Sequence, residues 1–239
     1  MNLLVTTDDG HDAPGFIELT RLARSMPKAT VYTVAPEDNC SGCGTSRTLA
    51  GQLKVVRTGD RSWTVDGTPV DCVEWALRRS SRLLPPRFDA ALSGINYGAN
   101  AGMVTVLCSG TVGAALAAAA RGVPAMAISQ DVRNTMRETY RVDAARDILE
   151  AWLAKLNKVR PRMIYNVNLP CVSRAMLGTK VVPVGGGGYD GMFKELGLKN
   201  RWKFIQRWQS VPDSVSDVGL LEKGYAVISV IGLSKGEGR

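Results

Sequence analysis

Short apolar runs alternate along this chain with segments whose apolar side chains recur every three or four positions. Leu3 to Thr6 is a run of strand length, and it ends on two acidic residues and a glycine. Ala13-Pro14-Gly15 then opens a segment with Phe16, Leu19, Ala23 and Met26 at helical spacing. Thr30 to Ala35 predicts a second strand stopped by Pro36, followed by a loop from Glu37 to about Thr48. Gln52–Val56 and Ser62–Val65 alternate as a hairpin does, and Thr68-Pro69 starts a helix through Val73 and Leu77. Asp89 to Leu92 reads as a strand running into Ser93-Gly94-Ile95-Asn96, and residues 101–107 read as a loop. Ser109-Gly110-Thr111 opens an alanine-rich helix that Gly122 ends. Pro124 to Ile128 is a strand, Val142, Ala145, Leu149, Trp152 and Leu156 mark an amphipathic helix, and Met163 to Val167 is a further strand. Such alternation predicts an α/β fold, a mostly parallel sheet with helices on both faces.

The pattern changes after Pro170. Lys180–Val184, the glycine run 185–188 and Trp202–Trp208 look extended or hairpin-like, and Tyr225–Val230 reads as a last strand. The expected division is a core over 1–170 and a C-terminal extension over 171–239, whose final strand returns to the core. Lys235 to Arg239 reads as a frayed tail. Trp202 and Trp208 suggest a surface buried either by a partner or by the chain's own core, since isolated hairpins are marginal.

With 239 residues, 45% hydrophobic and 22% charged, the chain buries a core without needing disulfides. Five cysteines and no basic n-region at the start argue for a cytoplasmic protein without a disulfide framework. No run approaches the ~20 apolar residues of a membrane span. Cys40 and Cys43 form a C-x-x-C without a second pair, in a glycine-bearing loop. The net charge of +8 favours anionic partners. Its basic residues fall in groups at 78, 79, 82 and 87, at 155, 158, 160 and 162, and at 199, 201, 203 and 207, the pattern of solvated faces. No recognisable nucleic-acid module or aromatic stacking pattern accompanies them.

Three segments carry chemistry. Asp8 and Asp9 stand adjacent where the first strand ends, the edge at which open α/β sheets bind ligands. Paired carboxylates there suit a hard divalent cation, and Asp-Asp-Gly is also good turn chemistry. The start Ser109-Gly110-Thr111 offers free N–H groups and the positive helix end, a phosphate cradle without a Walker lysine, or plain capping. Asn96, in a glycine loop after a strand, offers an amide oxygen to a metal and an N–H to a phosphate. All three converge on one rim of one sheet.

In order, the chain carries Leu-Leu-Val-Thr-Thr-Asp-Asp-Gly at 3–10, Asp-Ala-Pro-Gly at 12–15, Val-Ala-Pro-Glu-Asp-Asn-Cys-Ser-Gly at 34–42 and Gly-Thr-Pro-Val-Asp-Cys-Val at 67–73. Ser-Gly-Ile-Asn-Tyr-Gly at 93–98, Ser-Gly-Thr-Val-Gly-Ala-Ala at 109–115 and Asn-Val-Asn-Leu-Pro at 166–170 follow. With these segments the chain resembles the survival protein E (SurE) family over roughly its first 170 residues. The resemblance implies a Rossmann-like core whose extension serves dimer or tetramer assembly. It implies one divalent metal ion per subunit, Mg²⁺ or Mn²⁺, held by Asp8, Asp9, Ser41 and Asn96, with Asn96 and the Ser109-Gly110-Thr111 start on the phosphate. Family members act on nucleoside 5′- and 3′-monophosphates, and some on short polyphosphate. Three positions depart from the family pattern: Thr7 for the usual asparagine, Cys108 for a frequent aromatic residue, and a 101–107 segment without acidic residues.

The expected reaction is hydrolysis by in-line attack of water. Asp8, Asp9, Asn96 and Ser109 form the catalytic set, and the N–H groups of Gly110 and Thr111 face the equatorial oxygens. Asp8 or Asp9 takes the water's proton. His11 reads as an exposed helix-start residue before it reads as an acid to the leaving group. An aspartyl-phosphate route is the enzymatic alternative. A non-catalytic nucleotide-binding regulator, suggested by Thr7 and Cys108, is the alternative from another class.

Overall fold

A computed structural model of the chain describes residues 1–78, 83–133, 139–159, 162–197, 200–211 and 215–232. Arg79, Arg82, Arg160, Lys199 and the tail from Lys235 to Arg239 lie outside the described residues.

The chain runs β1 (Asn2–Thr6), α1 (Pro14–Ser25), β2 (Thr30–Pro36), β3 (Val55–Gly59), β4 (Ser62–Val65), α2 (Pro69–Leu77) and β5 (Ala90–Tyr97). It continues through α3 (Met103–Cys108), α4 (Gly110–Ala120), β6 (Ala125–Gln130), α5 (Val142–Leu153) and β7 (Met163–Leu169). The remainder is β8 (Thr179–Val181), β9 (Gly188–Glu195), β10 (Trp202–Gln209), α6 (Asp217–Lys223) and β11 (Ala226–Gly232).

Nine strands form one sheet in the order β3-β4-β2-β1-β5-β6-β7-β11-β8. Its centre, β4-β2-β1-β5-β6-β7, is parallel throughout, as the alternating pattern predicts. Antiparallel pairs flank it, β3 on β4 and β11 on β7. β1 lies between β2 and β5, so the strand order reverses at its carboxyl end, where such sheets open a crevice.

Each face of the sheet has its own core. Leu3, Val5 and Leu92 meet Phe16, Leu19 and Leu22 of α1 and Leu149 of α5 on one side. On the other, Leu4, Ala91 and Ala127 meet Val73 of α2 and Ala115, Ala118 and Ala119 of α4. The alanines keep α4 thin enough to share that face with α2. Burying a leucine contributes about 2 kcal/mol, so these two layers fix the rim that carries the site.

Four expectations are corrected. Residues 103–108 form a helix instead of a loop. β5 runs on to Tyr97, so Ser93 to Asn96 belong to the strand. β8 spans Thr179–Val181 alone, short of the 180–184 expected. The helix α6 was not anticipated. β9 and β10 pair as a separate antiparallel hairpin, from which Trp208 packs back on its own chain while Trp202 is 57% exposed. Among the described residues no helix is long and apolar enough to cross a membrane.

Candidate metal and phosphate site

The acidic turn follows β1 directly. Asp8 is 2% exposed. The Thr111 hydroxyl donates to its Oδ1. Burial pushes the Asp8 carboxyl above its usual range, and hydrogen bonds from the Thr111 hydroxyl and from the N–H groups of Thr111 and Gly110 oppose that push. The start of α4, expected to receive a phosphate, therefore also stands against Asp8. A Cβ at Gly110 would stand 2.7 Å from the Asp8 Cβ, so only glycine lets the helix come this close. Ser109 caps α4, accepting from Val112 N at 3.1 Å, and lines the cavity described below.

Asp9 bridges two loops: Ser41 Oγ approaches its Oδ1 at 3.4 Å and the Tyr97 N–H donates to its Oδ2 at 2.9 Å. Thr7 orders the turn through its own side chain, accepting from the Asp9 N–H at 3.1 Å. A hydroxyl here does what the missing asparagine amide would do. The loop carrying Ser41 is tied to β1 by the Cys40 N–H, which donates to Asp8 O at 2.7 Å. Its far end is tied by Asp71, which accepts from Thr48 N and Thr48 Oγ1 at 2.9 Å each and from Thr68 N at 3.0 Å.

Asn96 lies at the end of β5, beside β1 in the sheet. Its Nδ2 donates to Gly98 O at 2.8 Å, and no described group donates to its Oδ1. The following loop is clamped at Asn100 by two side chains of the Asn-Val-Asn segment. The Asn100 N–H donates to Asn168 Oδ1 at 2.6 Å, and Asn166 Nδ2 donates to Asn100 O at 2.8 Å. In the sequence that segment shows only as a family mark.

Asp8, Ser41, Asn96 and Ser109 line one cavity of about 560 Å³, with Asp9 beside it. Gly110 and Thr111 lie behind Asp8 and do not line it. His11 is outside as well, its Nδ1 2.9 Å from Glu37 O. Burial and the Asp8 charge push the Cys43 thiol up to about 11, so Cys43 is a neutral thiol, and Cys108 is an exposed wall residue.

The donor set fits a hard divalent cation. It offers two carboxylates, a hydroxyl and an amide oxygen that lacks a donor, with no imidazole or thiolate among them. A cation would also relieve the burial of Asp8. Among the described residues no group of three or more His, Cys, Asp or Glu forms a separate metal cluster.

A mostly parallel sheet covered on both faces, with a polar pocket at the reversal of its strand order, defines a Rossmann-like α/β protein with a rim site. The family described as survival protein SurE matches residues 3–190, and the chain belongs to that family. The 5′-nucleotidase SurE of Rhizorhabdus wittichii is 40% identical, over 96% of this chain and 92% of its own length. The protein of that name from Campylobacter jejuni is 32% identical, over 96% and 90%. The crystal structure of the SurE protein from Aquifex aeolicus superposes with a TM-score of 0.80 at 26% identity, covering 99% of this chain and 95% of that one.

Proposed function

We propose that the chain is a metal-dependent phosphomonoesterase that hydrolyses nucleoside monophosphates to nucleoside and phosphate. The observation that carries this reading is the meeting of Asp8, Ser41, Asn96 and Ser109 at one cavity with Asp9 beside it.

Asp8, Asp9, Ser41 and Asn96 would hold one Mg²⁺ or Mn²⁺. When bound, the ion supplies Lewis-acid neutralisation of charge on the phosphoryl oxygens. Asn96 and the Ser109 hydroxyl receive the phosphate. Thr111 acts behind them, its hydroxyl fixing the Asp8 carboxylate, and Gly110 lets the helix start approach it. Water attacks phosphorus in line, Asp8 or Asp9 accepts its proton, and the ester P–O bond breaks with its electron pair on the nucleoside oxygen, which takes a proton from solvent to become the hydroxyl of the product. Preorganisation supports this division of labour: Asp8 is held by the Thr111 hydroxyl, Asp9 by the Tyr97 N–H, and Asn96 by its bond to Gly98 O.

The reading includes self-association, as a dimer or tetramer, through the outer half of the hairpin, where Phe193 and Trp202 are exposed. A monomer by light scattering at micromolar concentration would overturn that part.

Phosphate release from a panel of nucleoside monophosphates, with Mg²⁺, Mn²⁺ or chelator, tests the whole. Release that needs metal and is lost in Asp8→Asn is the expected result. No release with either metal, alongside measurable nucleotide binding, would leave a non-catalytic nucleotide-binding regulator.

A further inference from the structure

The cavity extends well past the phosphate end, and its far wall comes from the hairpin. In the β9–β10 register Tyr189 stands opposite Trp208, Gly191 opposite Gln206 and Phe193 opposite Phe204. Directly opposed residues share a face of an antiparallel pair. Tyr189, Gln206 and Phe204 from this face line the cavity. Gly191 makes room on it: a Cβ there would meet Phe204 Cζ at 2.5 Å, so the Phe204 ring lies across the glycine.

Tyr189 is held before any ligand arrives. Its N–H donates to Thr105 Oγ1 at 2.9 Å, and Thr105 Oγ1 donates back to Tyr189 O at 3.3 Å. Its ring stands edge-on to Trp208, centroids 5.0 Å apart. Trp208 is fixed in turn by the Arg133 guanidinium 3.7 Å over its ring and by Glu222, which accepts from Nε1 at 2.6 Å. On its other side Tyr189 borders the site loop, since a Cβ at Gly98 would lie 3.9 Å from Tyr189 Cε2. The Gln206 amide is exposed and makes no hydrogen bond with the described residues.

We propose that this face is a nucleobase subsite, in which Tyr189 and Phe204 supply stacking surfaces and the Gln206 amide bonds the base edge. It rests on the phosphomonoesterase reading and assigns the part of the substrate which that reading leaves unplaced. Ring faces accept any base, and an amide carries both the donor and the acceptor that a base edge such as adenine's requires. A cavity of this size holds a whole nucleoside monophosphate rather than a bare phosphate ester.

The test compares affinities for AMP and ribose 5-phosphate by calorimetry, in chelator so that no turnover accompanies binding. Wild type is set against Tyr189→Ala, Tyr189→Phe and Phe204→Ala. The preference for AMP over ribose 5-phosphate is expected to fall about fivefold or more in at least one alanine variant, while Tyr189→Phe retains it. Phe204 is half-exposed, so its alanine variant keeps the test readable if Tyr189→Ala does not fold. A smaller fall in both alanine variants, or no preference for AMP in wild type, overturns the subsite. Absence of metal-dependent turnover in wild type would instead overturn the phosphatase reading, and the affinity ratio would still be measured.

Discussion

The Thr111 hydroxyl, on the first turn of α4, donates to Oδ1 of Asp8 at the end of β1. One residue of the helix start thereby fixes one of the two acidic residues 103 positions earlier in the chain. Thr111→Val keeps the volume and removes the donor. Metal affinity is expected to drop about 10- to 100-fold, as when an outer partner of a metal ligand is lost. Titrating phosphate release with Mg²⁺ would show it as a raised metal requirement. An unchanged requirement would mean that Thr111 serves packing alone.

Asp71 is 2% exposed and takes hydrogen bonds from the N–H and hydroxyl groups of both Thr48 and Thr68. Asp71→Ala leaves buried donors unpaired at the root of the loop that carries Ser41. The expected cost is about 3 kcal/mol in urea unfolding, with faster proteolysis between 37 and 48. Equal stability and equal nicking rates would show that the loop is held elsewhere.

Glu222 carries the latch under the hairpin. Burial pushes its carboxyl up, but hydrogen bonds from Ser210, Trp208 and Arg133, with the Arg133 charge, outweigh this and hold it below the usual range. A carboxyl lowered on folding stabilises fully above its unfolded value, about 4.3, and loses that contribution as pH falls through the folded value. Tryptophan fluorescence should therefore report release of Trp208 as pH falls below about 4.3. Glu222→Gln should abolish that transition, and a transition of the same midpoint in the variant would assign it to another group.

His11, the chain's single histidine, does not line the cavity, and its Nδ1 lies 2.9 Å from Glu37 O. His11→Ala should keep turnover within about twofold of wild type, since surface changes away from a site cost little. A loss of 10²-fold or more, the scale of a missing general acid, would put the histidine in the reaction.

The sheet was legible because β1, β2, β6 and β7 are apolar runs of strand length between helical repeats. The turn after β1 and the start of α4 were legible as chemistry because carboxylates and a small-residue cap stand out at strand and helix ends. α3 was not. Val104, Thr105 and Val106 are β-branched, Gly102 gives no side-chain cap, and tertiary contacts hold the segment, with Gly102 N–H donating to Asp217 Oδ2 at 3.0 Å and Met103 N–H to Gly185 O at 2.9 Å. α6 does carry local signals: Ser216 caps it and Gly224 ends it at φ 99°. The tasks of Asn166 and Asn168 depend on which strands lie side by side, which no local pattern encodes.

The cavity walls come from residues as far apart as 8 and 206. A chain emerging from the ribosome therefore displays its acidic pair long before the pocket around it exists. The hairpin wall follows only once residues 188–209 have been made, and β11, which slots between β7 and β8, comes later still.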